Sequence, residues 1–187
     1  MKKTIALILA VSLLLCCAAA HAESAVVPAY KLITVTPEGY ESLGEEWINP
    51  FIVSLVLNPT AEGKPAIVVV VSYNDAFSDI TFNSEMPEED FNKQVEQLTF
   101  NEETGEQLPY TVQETGLGTR VIKITYPEGN TEFYSIWHGY EVSLHCANIN
   151  EQNELSPVTE EQAAVIMQFL TDMDFQKIIE ETEEPAA

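Results

Sequence analysis

Basic residues are scarce in this chain: 8 Lys and Arg stand against 30 Asp and Glu in 187 residues, a formal net charge of −22. So acidic a polypeptide repels phosphate backbones, anionic lipid and acidic polysaccharide, which excludes nucleic acid as an electrostatic partner. Cysteine is equally thin, with Cys16 and Cys17 inside an N-terminal apolar run and Cys146 alone beyond it. There is no C-x-x-C or H-E-x-x-H pattern, and no serine sits in a nucleophile elbow. Beyond the N-terminal segment no apolar run is long enough to span a bilayer.

What is present begins with that segment. Lys2 and Lys3, an apolar stretch over residues 4–15 and the small-residue site Ala20-His21-Ala22 together read as a secretory signal peptide at residues 1–22. The protein is therefore expected to be secreted, periplasmic or otherwise extracytoplasmic, with a mature chain starting at Glu23. Leu15 before Cys16 is bulkier than lipoprotein processing accepts, so soluble export is the expectation. Loss of the two lysines takes the formal charge from −22 to −24, and removing 22 of 187 residues leaves 165. That length suits a single domain over residues 23–179, followed by an acidic disordered tail at 180–187. Cys146 would then be the sole cysteine, so no disulfide within the chain is expected, and its register points to a buried thiol.

The fold class expected is α+β: an antiparallel sheet with a C-terminal three-strand meander, flanked by helices. The meander occupies residues 118–149. His138-Gly139 reads as a two-residue turn, which pairs Trp137 with Tyr140, Ser135 with Val142, Phe133 with Leu144 and Thr131 with Cys146. The turn at Pro127-Glu128-Gly129-Asn130 is expected to pair Tyr126 with Thr131, Ile124 with Phe133 and Ile122 with Ser135, giving one continuous apolar face. The opposite face is mixed and sets Glu132 across from His145. Upstream, strands are expected at residues 30–36, 51–57, 66–73 and 110–113, with a link at 40–48 and a polar loop at 101–109. The unbroken Ile67 to Val71 run suggests a central strand covered on both faces.

Two helices complete the pattern. Pro87-Glu88-Glu89-Asp90 places proline and acids where a helix starts, and Phe91, Val95 and Leu98 recur at helical spacing. Thr159-Glu160-Glu161-Gln162 is a capping box opening a helix to about Met173, with Ala163, Ile166, Phe169, Leu170 and Met173 as its apolar stripe. Phe175 and Ile178 are expected to finish the core.

Strand alternation sends His145 and Cys146 to opposite faces and leaves His138 in a turn, so these three residues do not form a zinc site. Asp75 and Asp79, in the segment NDAFSDITF after the central strand, lack the alternating acids and glycine of a calcium loop. No metal, no cofactor and no catalytic residue are expected, and the ligand-binding candidates are Trp47, Asp75, Asp79 and His145.

The order of elements carries one further reading. A strand ending in Thr34-Val35-Thr36-Pro37-Glu38-Gly39-Tyr40, then long strands, a short helix opened by Pro87-Glu88-Glu89-Asp90, a meander with Gly139-Tyr140 in its second turn and a closing helix ahead of Phe175 together resemble the Mog1/PsbP-like superfamily over about residues 30–178. That resemblance implies an antiparallel sheet flanked by helices and a non-catalytic binding or accessory role toward a protein or small-molecule ligand. The alternative class is a hydrolase-like enzyme whose site is assembled from separate loops, with Asp75, Asp79 and His145 as its candidates.

Overall fold

The hairpin at the centre of the molecule closes on His138 and Gly139, both at positive φ (44° and 83°), as a two-residue turn with the twist of the flanking strands requires. A Cβ on Gly139 would lie 2.7 Å from the Tyr73 ring, so the turn also needs glycine for close approach. The computed structural model describes residues 28–33, 35–49, 51–102 and 104–174, without the side chains of residues 30 and 44–49. The segments expected to be a signal peptide and an acidic tail, together with Phe175 and Ile178, fall outside the described residues.

The strands are β1 (Tyr40–Asn49), β2 (Ile52–Pro59), β3 (Ala66–Tyr73), β4 (Phe100–Asn101), β5 (Glu106–Gln107), β6 (Tyr110–Glu114), β7 (Arg120–Thr125), β8 (Thr131–Trp137), β9 (Tyr140–Ile149) and β10 (Leu155–Ser156); the helices are α1 (Glu88–Leu98) and α2 (Glu160–Asp172). The main sheet runs β1-β2-β3-β9-β8-β7-β6, with β10 paired to the end of β9, while β4 and β5 form a separate small hairpin. Every pairing is antiparallel, so the α+β class holds. Among the described residues no helix is long and apolar enough to cross a membrane.

The β8–β9 register is the expected one, from Trp137 with Tyr140 to Thr131 with Cys146. The β7–β8 register is not. Thr125, not Tyr126, pairs with Thr131, and Ile122 faces Tyr134. The cause is the loop. Gly129 N–H donates to Tyr126 O at 3.0 Å and Tyr126 N–H donates to Asn130 O at 3.0 Å, with Gly129 at φ 93°, a three-residue loop with a glycine bulge that shortens the connection by one residue. A one-residue slip exchanges faces. Val121 and Lys123 join Phe133 on the α2 side, and Ile122 and Ile124 join Tyr134 and Ile136 on the other.

The single apolar face is thereby corrected to two. Under α2, Ala163, Ile166, Phe169, Leu170 and Met173 pack on β2, β3, β9 and β8. Under α1, Phe91 and Val95 pack with Phe82, Ile122, Ile124, Tyr134 and Ile136. Strand β8 is buried at every position for this reason. Helix α1 starts at Glu88 after Pro87 with Glu88, Glu89 and Asp90 in its first turn, and α2 carries the complete capping box of Thr159 and Gln162.

Three other expectations are corrected. Residues 29–32 form a 3₁₀ turn, not the start of a strand, because Ala29 and Leu32, three apart, both bury completely against β2 and β3. The expected link at 40–48 is β1, whose lack of alternation reflects two register breaks, at Ser42/Glu45 and Trp47/Asn49. The polar loop at 101–109 folds back on itself as β4–β5.

Candidate functional site

Alternation along β9 puts Glu141, Ser143 and His145 on the α1 side of the sheet, beside Glu132 and Tyr134 of β8. The Glu132 carboxylate is 8% exposed and is satisfied by neighbours: Tyr126 Oη donates to Oε2 at 2.5 Å and Ser143 Oγ donates to Oε1. His145 Nε2 lies 3.0 Å from Ser143 Oγ and 3.9 Å from Glu132 Oε1, the cross-strand neighbour the register requires. One pair further along, Tyr134 Oη donates to Glu141 Oε1 at 2.6 Å, and Asn74 Nδ2 donates to Oε2 at 3.5 Å. Burial first, then the carboxylates of Glu132 and Glu141, hold the phenols of Tyr126 and Tyr134 far above their ordinary range, so both are neutral donors.

The chemistry open to this cluster is limited by direction. Nucleophilic activation of a serine needs the base on its oxygen and an acid on the far ring nitrogen of that base. Here Ser143 and Glu132 both face Nε2, and the serine proton goes to the carboxylate. The arrangement satisfies the hydrogen-bonding capacity of a buried carboxylate.

The other sequence candidates lie apart. Asp75 and Asp79 are exposed beyond β3, where Asn74 caps the turn Asp75–Phe77 by accepting from Ala76 N–H at 3.1 Å. Tyr73 Oη reaches Asp75 Oδ1 at 3.5 Å, and burial and then Asp75 raise its phenol. Glu141 touches Asn74, but His145 is four residues further along β9, about 13 Å at roughly 3.3 Å per residue. The structure does not bring Asp75 and Asp79 to His145. Trp47 is in β1 with Val53 as its backbone partner, and its side chain lies outside the described residues. Cys146 is buried on the α2 side, where burial and then Glu132 push its thiol well up. Among the described residues no three His, Cys, Asp or Glu side chains gather as a metal site.

Two concavities among the described residues bear on binding. One, about 30 Å³, lies between α2 and the β6–β7 bend and is lined by Thr115, Ser135, Trp137 and Leu170. Trp137 Nε1 is buried without a hydrogen-bond partner there, but the space admits no more than a few water molecules. The other is a shallow groove of about 660 Å³, lined by Glu96 and Gln97 at the end of α1, Phe100, Glu102 and Gln107 of the β4–β5 hairpin, and Tyr110 of β6. Phe100 and Tyr110 are 49% and 43% exposed. Sequence reasoning missed both aromatics, since Phe100 falls just past the helical stripe and Tyr110 opens a short strand. The available signal was that each is a large ring set among polar residues.

No protein-family model, curated protein or solved structure matches this chain. The ligand chemistry of the groove follows from its own lining: two open aromatic rings, two amide side chains and the carboxylates of Glu96 and Glu102. Such a surface stacks against and hydrogen-bonds an apolar or cationic partner without enclosing it.

Proposed function

We propose that this protein is an extracytoplasmic, non-catalytic binding or accessory domain whose contact surface is the groove between α1, the β4–β5 hairpin and β6. The observation that carries the reading is the pairing of Phe100 and Tyr110, both close to half exposed, across a shallow acidic groove at a sheet edge. Export is supported by Lys2-Lys3, the apolar run and Ala20-His21-Ala22. Helices on opposite faces of an antiparallel sheet are consistent with a Mog1/PsbP-like sandwich, which supports an accessory role. The test is site-specific photo-crosslinking in the native extracellular fraction, with benzoylphenylalanine at position 100 or, as a control on α2, at Val165. A discrete adduct formed from position 100 and lost on Tyr110→Ser supports the groove; the same products from both positions refute it.

A further inference from the structure

The groove borders an open sheet edge. β6 ends the main sheet, and its five residues pair with β7 without a register break, from Tyr110 with Ile124 to Glu114 with Arg120. Just beyond its ends, Thr125 N–H donates to Pro109 O at 2.9 Å and Thr115 N–H donates to Thr119 O at 2.8 Å. Hydrogen-bonded pairs alternate along an antiparallel ladder, so Thr111 and Gln113 exchange bonds with β7, while the N–H and C=O groups of Tyr110, Val112 and Glu114 point away from it. Among the described residues no strand lies beyond them. The side chains of Tyr110 and Val112 share the α1 face, opposite Ile124 and Ile122, and are 43% and 44% exposed.

Sheets ordinarily protect such an edge with bulges, proline or lysine. The other edge strand, β1, has two register breaks. β6 has neither proline nor lysine, and its only charge is Glu114. Acids predominate around it, from Glu96 and Glu102 in the groove to Glu106 and Glu114 beside it, and the two cations on the neighbouring strand, Arg120 across from Glu114 and Lys123 across from Thr111, are already paired with Glu88 and Glu160.

We infer that β6 is a strand-addition site for an extended, lysine- or arginine-bearing segment of a partner protein. The added strand takes the outward N–H and C=O groups of Tyr110, Val112 and Glu114, and alternate side chains enter the groove against Phe100 and Tyr110, where their cations meet Glu96 and Glu102. Charge complementarity selects this occupant over a second copy of the chain, which carries the same net charge. The inference rests on the groove being the contact surface.

The probe is a fluorescent peptide, Lys-Val-Lys-Val-Lys-Val-Lys, read by anisotropy on the intact mature protein beside its Glu-for-Lys counterpart. The cationic peptide should bind at least about tenfold more tightly than the acidic one and should weaken on raising salt from about 50 to about 500 mM. Val112→Pro removes an outward N–H that makes no bond to β7, so an edge strand tolerates it, and it should lower affinity by about tenfold or more. Glu96→Gln, Glu102→Gln and Glu114→Gln combined keep the fold should Val112→Pro not, and should remove most of the preference for the cationic peptide. Equal binding of the two peptides, unchanged affinity in a folded Val112→Pro protein, unchanged preference in the triple variant, or a free protein already dimeric through β6 would each overturn the inference. If position 100 captures a partner while the peptides show neither charge nor edge dependence, the groove stands and strand addition falls; if position 100 captures none, the underlying reading falls as well.

Discussion

Truncating Phe91 tests whether the face of the sheet under α1 is a true second core. The ring is 2% exposed, meets Phe82 edge-on at 5.1 Å and 83°, and lies under the Arg120 guanidinium at 4.7 Å. Arg120 is itself held by Glu88 at 3.1 Å. Phe91→Ala should cost about 3–5 kcal/mol for the lost apolar contact and the cavity left behind. Of this, about 0.5–1.5 kcal/mol belongs to the aromatic pair and about 0.5–1 kcal/mol to the cation over the ring. Against a total stability of about 5–15 kcal/mol, that is a large share, read as a lower urea midpoint at unchanged slope. Separateness of the two cores is tested with gentler changes. Phe91→Leu under α1, which loses both ring interactions, should cost roughly 1–3 kcal/mol and Ile166→Val under α2 roughly 0.5–1.5 kcal/mol, and the two should add within about 0.5 kcal/mol, since the sheet lies between them. A Phe91→Ala cost below about 1 kcal/mol, or coupling above about 1 kcal/mol between the two sites, would refute the two-core account.

Cys146 should resist iodoacetamide in the native protein and react on unfolding, because its thiol is buried and its pKa is pushed up by that burial; rapid native labelling at neutral pH would contradict its placement. Burial, and then Cys146, pushes the Tyr40 phenol up to about 12, and Tyr126 and Tyr134 are raised as well. A folded pKa above the unfolded value of about 10 gives stability that is complete below pH 10 and is lost as pH rises toward the folded value. Urea midpoints should therefore begin to fall as pH passes about 9, where the unfolded Cys146 thiol ionises, and fall more steeply above about pH 10, with these phenols silent in ultraviolet titration until the protein unfolds. Thr159→Ala removes the oxygen that accepts from Gln162 N–H at 3.2 Å and should cost about 0.5–2 kcal/mol, measured by the same unfolding series.

The elements that were legible in the sequence are those whose local signals agree. His138-Gly139 sets the β8–β9 register, the capping box starts α2, and the Ile67 to Val71 run marks β3, because turn chemistry, capping and apolar periodicity each act over a few residues. The β7 register was not legible, because a four-residue turn and a three-residue loop with a glycine bulge place the same Pro127-Glu128-Gly129 sequence one residue apart. β1 was missed because its breaks erase the period of two, and residues 29–32 because their burial is decided by distant strands. At the site, alternation correctly placed Glu132 across from His145, but Ser143 and Tyr126 complete that cluster only through tertiary contact. The groove has no sequence motif at all. It arises where the end of α1, the β4–β5 hairpin and β6 meet, and its open edge depends on which strand happens to be last in the sheet.

Amide hydrogen exchange along β6 tests the central claim most directly, since it reports each backbone N–H separately. In the free protein Thr111 and Gln113 should be protected by their bonds to β7, while Tyr110, Val112 and Glu114 exchange near the rate of an unfolded chain. On addition of the cationic peptide those three amides should become protected with little change at Thr111 and Gln113. Uniform protection across all five residues in the free protein, or peptide binding that leaves Tyr110, Val112 and Glu114 exchanging as before, would contradict the account.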